Sequence, residues 1–292
     1  DRINSEINKM NETLSKQEKS DIGSIFDILS LSIGNSERSF VSEILDSTIE
    51  KFQKIIVKDY NNQIIRNATL FLKARLDSLI TQSIEKMDFD VYELTVKKYE
   101  VLIKTLIDKG HFDLAKKCID QIGRHSFFLN KKVFHIDYSF LSIDLIVAMV
   151  TYYMEKENYD DHKVQSWIEV LGAIGEDITN VKYKLKKRSI RGDYTSETEI
   201  SDNPVYQLLT KLEKINDLAI DRLSIVNESY KNGESVLEAI SFVLKNITLE
   251  LMKINDSSLT YNIFLIYSHI VQKAIAKDLY YSLNFITMDL HK

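Results

Sequence analysis

One proline, Pro204, and eight glycines are all the strong backbone punctuation in 292 residues. So few breakers cannot supply the many tight turns of a β-sandwich, the glycine period of a collagen or a stiff proline-rich spacer. Long helices are what remains, because little in the chain stops one once it has started. Apolar residues recur three and four apart along most of the sequence, while strand-type alternation and hairpin dipeptides are scarce. The expected class is all-α: an irregular α-solenoid or stacked helical hairpins, followed by a helical bundle.

Composition and charge narrow the function classes. The hydrophobic share of 44% is enough for one or two packed domains. A formal net charge of −5 argues against a surface that as a whole tracks nucleic acid or anionic lipid, since such surfaces are basic. Cys118 has no partner for an intrachain disulfide, which favours a reducing compartment and a cytoplasmic location. The most apolar window, Phe134 to Tyr153, would bury Asp137 and Asp144 in hydrocarbon at about 2.5 to 3.5 kcal/mol each near a helix centre, so a core helix is expected there. The chain opens at Asp1 without methionine and without the basic and apolar blocks of a signal peptide. The expectation is that an upstream part has been removed. The alternative location is then the cytoplasmic region of a membrane-anchored protein, touching the membrane only through that missing anchor.

Periodicity divides the chain into four regions. Residues 1–19 form a coiled-coil-like helix in which Ile3, Ile7, Met10 and Leu14 are spaced 4, 3 and 4 apart, a short seam for self-association. Residues 20–190 are a helical-hairpin region. There, one apolar stripe ends at Gly34-Asn35-Ser36, a second from Phe40 to Ile56 forms an αα-hairpin with it, a third runs from Ile65 to Ile84 and stops at Met87-Asp88, and a fourth runs from Val91 through Tyr99 and Leu106 to Gly110. After Phe127-Phe128-Leu129-Asn130 a long helix is expected from about Lys132 to Lys156. Val164, Trp167, Ile168, Leu171 and Ile174 mark another helix, whose spacing Ile178, Val181 and Leu185 carry toward Arg188. Residues 191–203, RGDYTSETEISDN, are a polar loop or linker. Residues 204–292 are a C-terminal bundle packed on the preceding region, with Asp202 or Asn203 capping its first helix and Pro204 inside the first turn. Asn232-Gly233 separates its first two helices, and the stretch from Leu259 to Ile275 is almost apolar all round, as in a helix enclosed by neighbours.

The segment Lys109-Gly110-His111-Phe112-Asp113-Leu114-Ala115-Lys116-Lys117-Cys118-Ile119, with Tyr99, Leu102 and Leu106 upstream, resembles the turn and flanking helices of a tetratricopeptide hairpin over about residues 95–128. Gly110 permits the turn, Phe112 packs beneath it, and Ala115 is small where two helices come close. Arg75 to Glu85 does not continue the pattern, so a single tetratricopeptide-like unit in an irregular stack is expected. In that family the first helix supplies the ligand-facing side. The resemblance therefore implies a protein or peptide partner and makes Lys97, Glu100 and Lys104 its candidate contacts.

No motif carries catalytic chemistry outright. The glycines form neither G-x-x-x-x-G-K-[ST] nor G-x-G-x-x-G, and the six histidines form no H-E-x-x-H. No cofactor or metal is expected. Glu155, Glu157, Asp160, Asp161 and His162 offer ligand atoms, and a solvated turn accounts for them. Cys118 reads as a small half-buried packing residue, and His269, between Ile266, Tyr267 and Ile270, as a hydrogen-bonded core or interface histidine. The strongest charge feature is Lys182, Lys184, Lys186, Lys187, Arg188 and Arg191, followed by acidic Asp193, Glu197, Glu199 and Asp202. Such a face suits phosphate, anionic lipid or an acidic partner, although an ordinary amphipathic helix also produces it. The leading functional expectation is a non-enzymatic protein-interaction or regulatory module, part of a larger protein. The alternatives are a helical enzyme with a site built from distant residues, and a phosphate, nucleic-acid or anionic-lipid binder acting through residues 182–191.

Overall fold

Helix is the only regular structure among the residues that the computed structural model describes, which are 38–57, 62–133, 138–156, 159–189, 204–225, 234–253 and 255–279. In chain order the helices are α1 (Arg38–Val57), α2 (Asn62–Glu85), α3 (Phe89–Asp108), α4 (Phe112–Val133), α5 (Ser139–Met154), α6 (Asp161–Ser189), α7 (Pro204–Ile225), α8 (Glu234–Lys253) and α9 (Ser257–Ala276). The all-α expectation holds. The seam Ile3, Ile7, Met10 and Leu14, the loop 191–203 and the break Asn232-Gly233 lie outside the described residues. No helix among the described residues is long and apolar enough to cross a membrane.

Three reversals share one construction. After α2, Met87 adopts a left-handed φ of 58°, and the Asp88 amide donates to the Ser83 carbonyl at 2.8 Å. Asp88 then caps α3, its Oδ1 accepting from the Val91 amide at 3.3 Å. After α3, Gly110 takes φ 74° and the His111 amide reaches the Leu106 carbonyl at 2.8 Å. After α8, Asn255 takes φ 53°, the Asp256 amide reaches the Leu251 carbonyl at 3.1 Å, and Asp256 Oδ1 caps α9 through the Leu259 amide at 3.2 Å. Each turn satisfies the last carbonyls of one helix and, at the two aspartates, an orphan amide of the next.

The chain divides into two compact units, Asp1–His125 and Ser126–Lys292. In the first, α3 packs against both α1 and α2. Leu45 and Phe52 of α1, Leu72 and Leu76 of α2, and Tyr92, Tyr99 and Leu102 of α3 are fully buried. Lys98 of α3 pairs with Asp46 of α1, and the Gln53 amide donates to the Thr105 hydroxyl at 3.1 Å.

In the second unit α6 lies against α8, and glycines set the closeness of that contact. A Cβ at Gly172 would fall 2.6 Å from Val243 Cγ2, and one at Gly175 would fall 2.6 Å from Leu208 Cδ2 and 2.9 Å from Ile247 Cδ1. A side chain at either position would require the neighbouring residue to shift. Helices α5 and α7 complete this core, with the Trp167 and Tyr153 rings 5.2 Å apart and tilted by 41°. Asn246 of α8 donates to Glu176 of α6 at 2.9 Å, and the Tyr267 hydroxyl of α9 donates to the Ser241 carbonyl of α8 at 2.9 Å.

Two sequence expectations are corrected. The helix expected from about Lys132 to Lys156 is instead two: α4 runs through Phe127–Asn130 to Val133, and α5 begins at Ser139. Asn130 lies inside α4, where its buried amide donates across the unit to Asp177 at 2.9 Å. The stretch Leu259–Ile275 is not enclosed. Leu259, Ile263, Ile266, Tyr267, Ile270 and Ala274 are buried, whereas Tyr261, Phe264, Leu265 and Ile275 are exposed.

Candidate functional site

The densest polar cluster in the first unit centres on Asp77 of α2. Its Oδ1 lies 3.1 Å from His125 Nε2 of α4 and also accepts the Tyr99 hydroxyl of α3. Its Oδ2 lies 2.7 Å from Lys73 Nζ, one turn earlier on α2, and that ammonium also reaches Gln121 Oε1 at 3.2 Å. Burial alone would raise the Asp77 carboxyl, but hydrogen bonds from His125, Lys73 and Tyr99 more than offset this and hold it below the usual carboxylate range. Tyr99 is driven well above the ordinary phenol range by burial and by the Asp77 charge. Cys118 is fully buried rather than half-buried, and that burial pushes its thiol up to about 12, so it stays protonated at neutral pH. A protonated thiol without access to solvent is a packing group. The cluster ties three helices together at one carboxylate.

Lys97, Glu100 and Lys104 are brought onto one stripe of α3, outside its buried face. Lys97 pairs with Glu93 at 2.6 Å and Lys104 with Glu100 at 2.6 Å, each one helical turn apart. Such pairs stabilise a solvated helix by a few tenths of a kcal/mol. Lys182, Lys184, Lys186, Lys187 and Arg188 fall in the C-terminal part of α6, and Arg191 lies outside the described residues. At the start of α6, Asp160 accepts from the His162 amide at 3.0 Å and pairs with Lys163 at 3.5 Å, as in a solvated turn. His269 is not a core histidine: its side chain is 64% exposed, and its Nδ1 meets Glu213 Oε1 of α7 at 2.8 Å. It lies outside the stripe that buries Ile266, Tyr267 and Ile270. Next to it, Lys273 reaches Asp217 at 2.8 Å, and Lys277 reaches Asp221 at 3.6 Å.

The feature that sequence reasoning missed is the outward face of the α8–α9 hairpin. On α8 the exposed apolar residues are Phe242, Leu249 and Met252; on α9 they are Tyr261, Phe264, Leu265 and Ile275. An open groove at the hairpin turn is lined by Met252, Thr260, Tyr261 and Phe264, which makes the two helical faces continuous there. The seven side chains are between 39% and 63% exposed. The available signal on α9 was the apolar group Tyr261, Phe264 and Leu265, three and four apart and outside the stripe Leu259, Ile263, Ile266, Tyr267 and Ile270.

No protein-family model matches the chain, and no curated protein matches it. Among solved structures, it is similar to a circular tandem repeat protein with a novel repeat topology and enhanced subunit contact surfaces, at 12% sequence identity and a TM-score of 0.45. That match covers 96% of this chain, which spans 66% of the other.

Proposed function

We propose that this chain is a non-enzymatic helical interaction module whose working surface is the outward face of α8 and α9, and whose ligand is an amphipathic α-helix. The observation that carries the reading is the exposed apolar face on two consecutive helices, joined at the groove between Met252, Tyr261 and Phe264. Anchors at helical spacing on such a face are what a helix-in-groove contact uses. The first unit supports the same reading from the other side. Its strongest polar cluster is spent on holding α2, α3 and α4 together, and its exposed α3 stripe is self-paired. Lys97, Glu100 and Lys104 keep their candidacy as a second, weaker contact through the tetratricopeptide-like resemblance, and the basic residues 182–191 keep theirs as a docking point for an acidic partner. A cytoplasmic setting, with the chain as part of a larger protein, fits a module of this kind.

The test is site-specific photo-crosslinking with a benzophenone side chain in place of Phe264 in the full chain. The expected product is an adduct to a protein segment whose mapped peptide carries apolar residues three and four apart. Absence of any protein adduct from Phe264, Leu265 and Phe242 alike would refute the reading.

A further inference from the structure

We draw no further inference here: the strongest candidate, the outward apolar face of the α8–α9 hairpin around Phe242, Phe264 and Leu265, belongs to the site already described, and nothing in the structure shows what covers it.

Discussion

His125 Nε2 lies 3.1 Å from Asp77 Oδ1, joining α4 to α2 across 48 residues of sequence. Because the same carboxylate also receives Lys73 and Tyr99, it is worth more to the first unit ionised than protonated. Asp77→Asn is expected to cost about 1–3 kcal/mol, by weakening the acceptor that three donors share. The pH dependence has a definite sign. The folded carboxyl titrates below its unfolded value of 3.8, so its contribution is fully present above that pH and is lost as pH falls through the folded value. Denaturant midpoints measured between pH 7 and pH 2 should show an acid loss in the parent that is smaller in Asp77→Asn.

Met87 is 59% exposed and sits at φ 58°, a conformation that costs an L-residue about 1–2 kcal/mol and glycine almost nothing. Met87→Gly should stabilise the protein by about 0.5–1 kcal/mol, after the greater unfolded-state freedom of glycine is subtracted. A raised thermal midpoint checks it, and a lowered one would mean that the Met87 side chain makes contacts worth more than the backbone strain.

Gly172 and Gly175 look alike in sequence but differ in what an added methyl meets. At Gly172 it strikes a branch of Val243, which a helix holds in one rotamer, whereas at Gly175 it strikes the flexible ends of Leu208 and Ile247. Gly172→Ala should therefore lose about 1–3 kcal/mol, exceeding the gain of about 1 kcal/mol in helix propensity, and Gly175→Ala should lose less. Equal chemical-denaturation midpoints for the two variants would contradict this ranking.

Ala115 is fully buried, and Lys104 is a half-buried partner of Glu100. Ala115→Trp should overpack the first unit at about 1–3 kcal/mol or more, while Lys104→Ala should change stability by about 0.5 kcal/mol or less. Urea titrations of both variants make the comparison, and an Ala115→Trp protein as stable as the parent would remove the packing basis of the tetratricopeptide-like resemblance.

Breaks written in local chemistry were legible. Met87-Asp88, Gly110 and Pro204 each mark a helix boundary, because a left-handed residue, a cap or a missing amide acts within a few residues of itself. The role of Asn130 has no such local mark. Its amide can serve a turn or a distant carboxylate, and only packing decides that the partner is Asp177. The Asp77 cluster left no local trace beyond the Lys73–Asp77 spacing, since His125 and Tyr99 arrive from other helices. On α9, apolar residues occupy both the inner and the outer stripe, and periodicity counts them alike. Whether a neighbour covers the outer stripe is a property of the assembled unit.

The reversals at Met87, Gly110 and Asn255 bear on how fast the chain reaches its structure. Each returns the backbone within about three residues, so α2 meets α3 and α8 meets α9 with almost no loop to close. The entropy of bringing partners together is then small, and the contacts that form first are those nearest in sequence. On a ribosome, α2 and α3 can pair as soon as Asp108 has cleared the exit tunnel, well before the helices of the second unit exist.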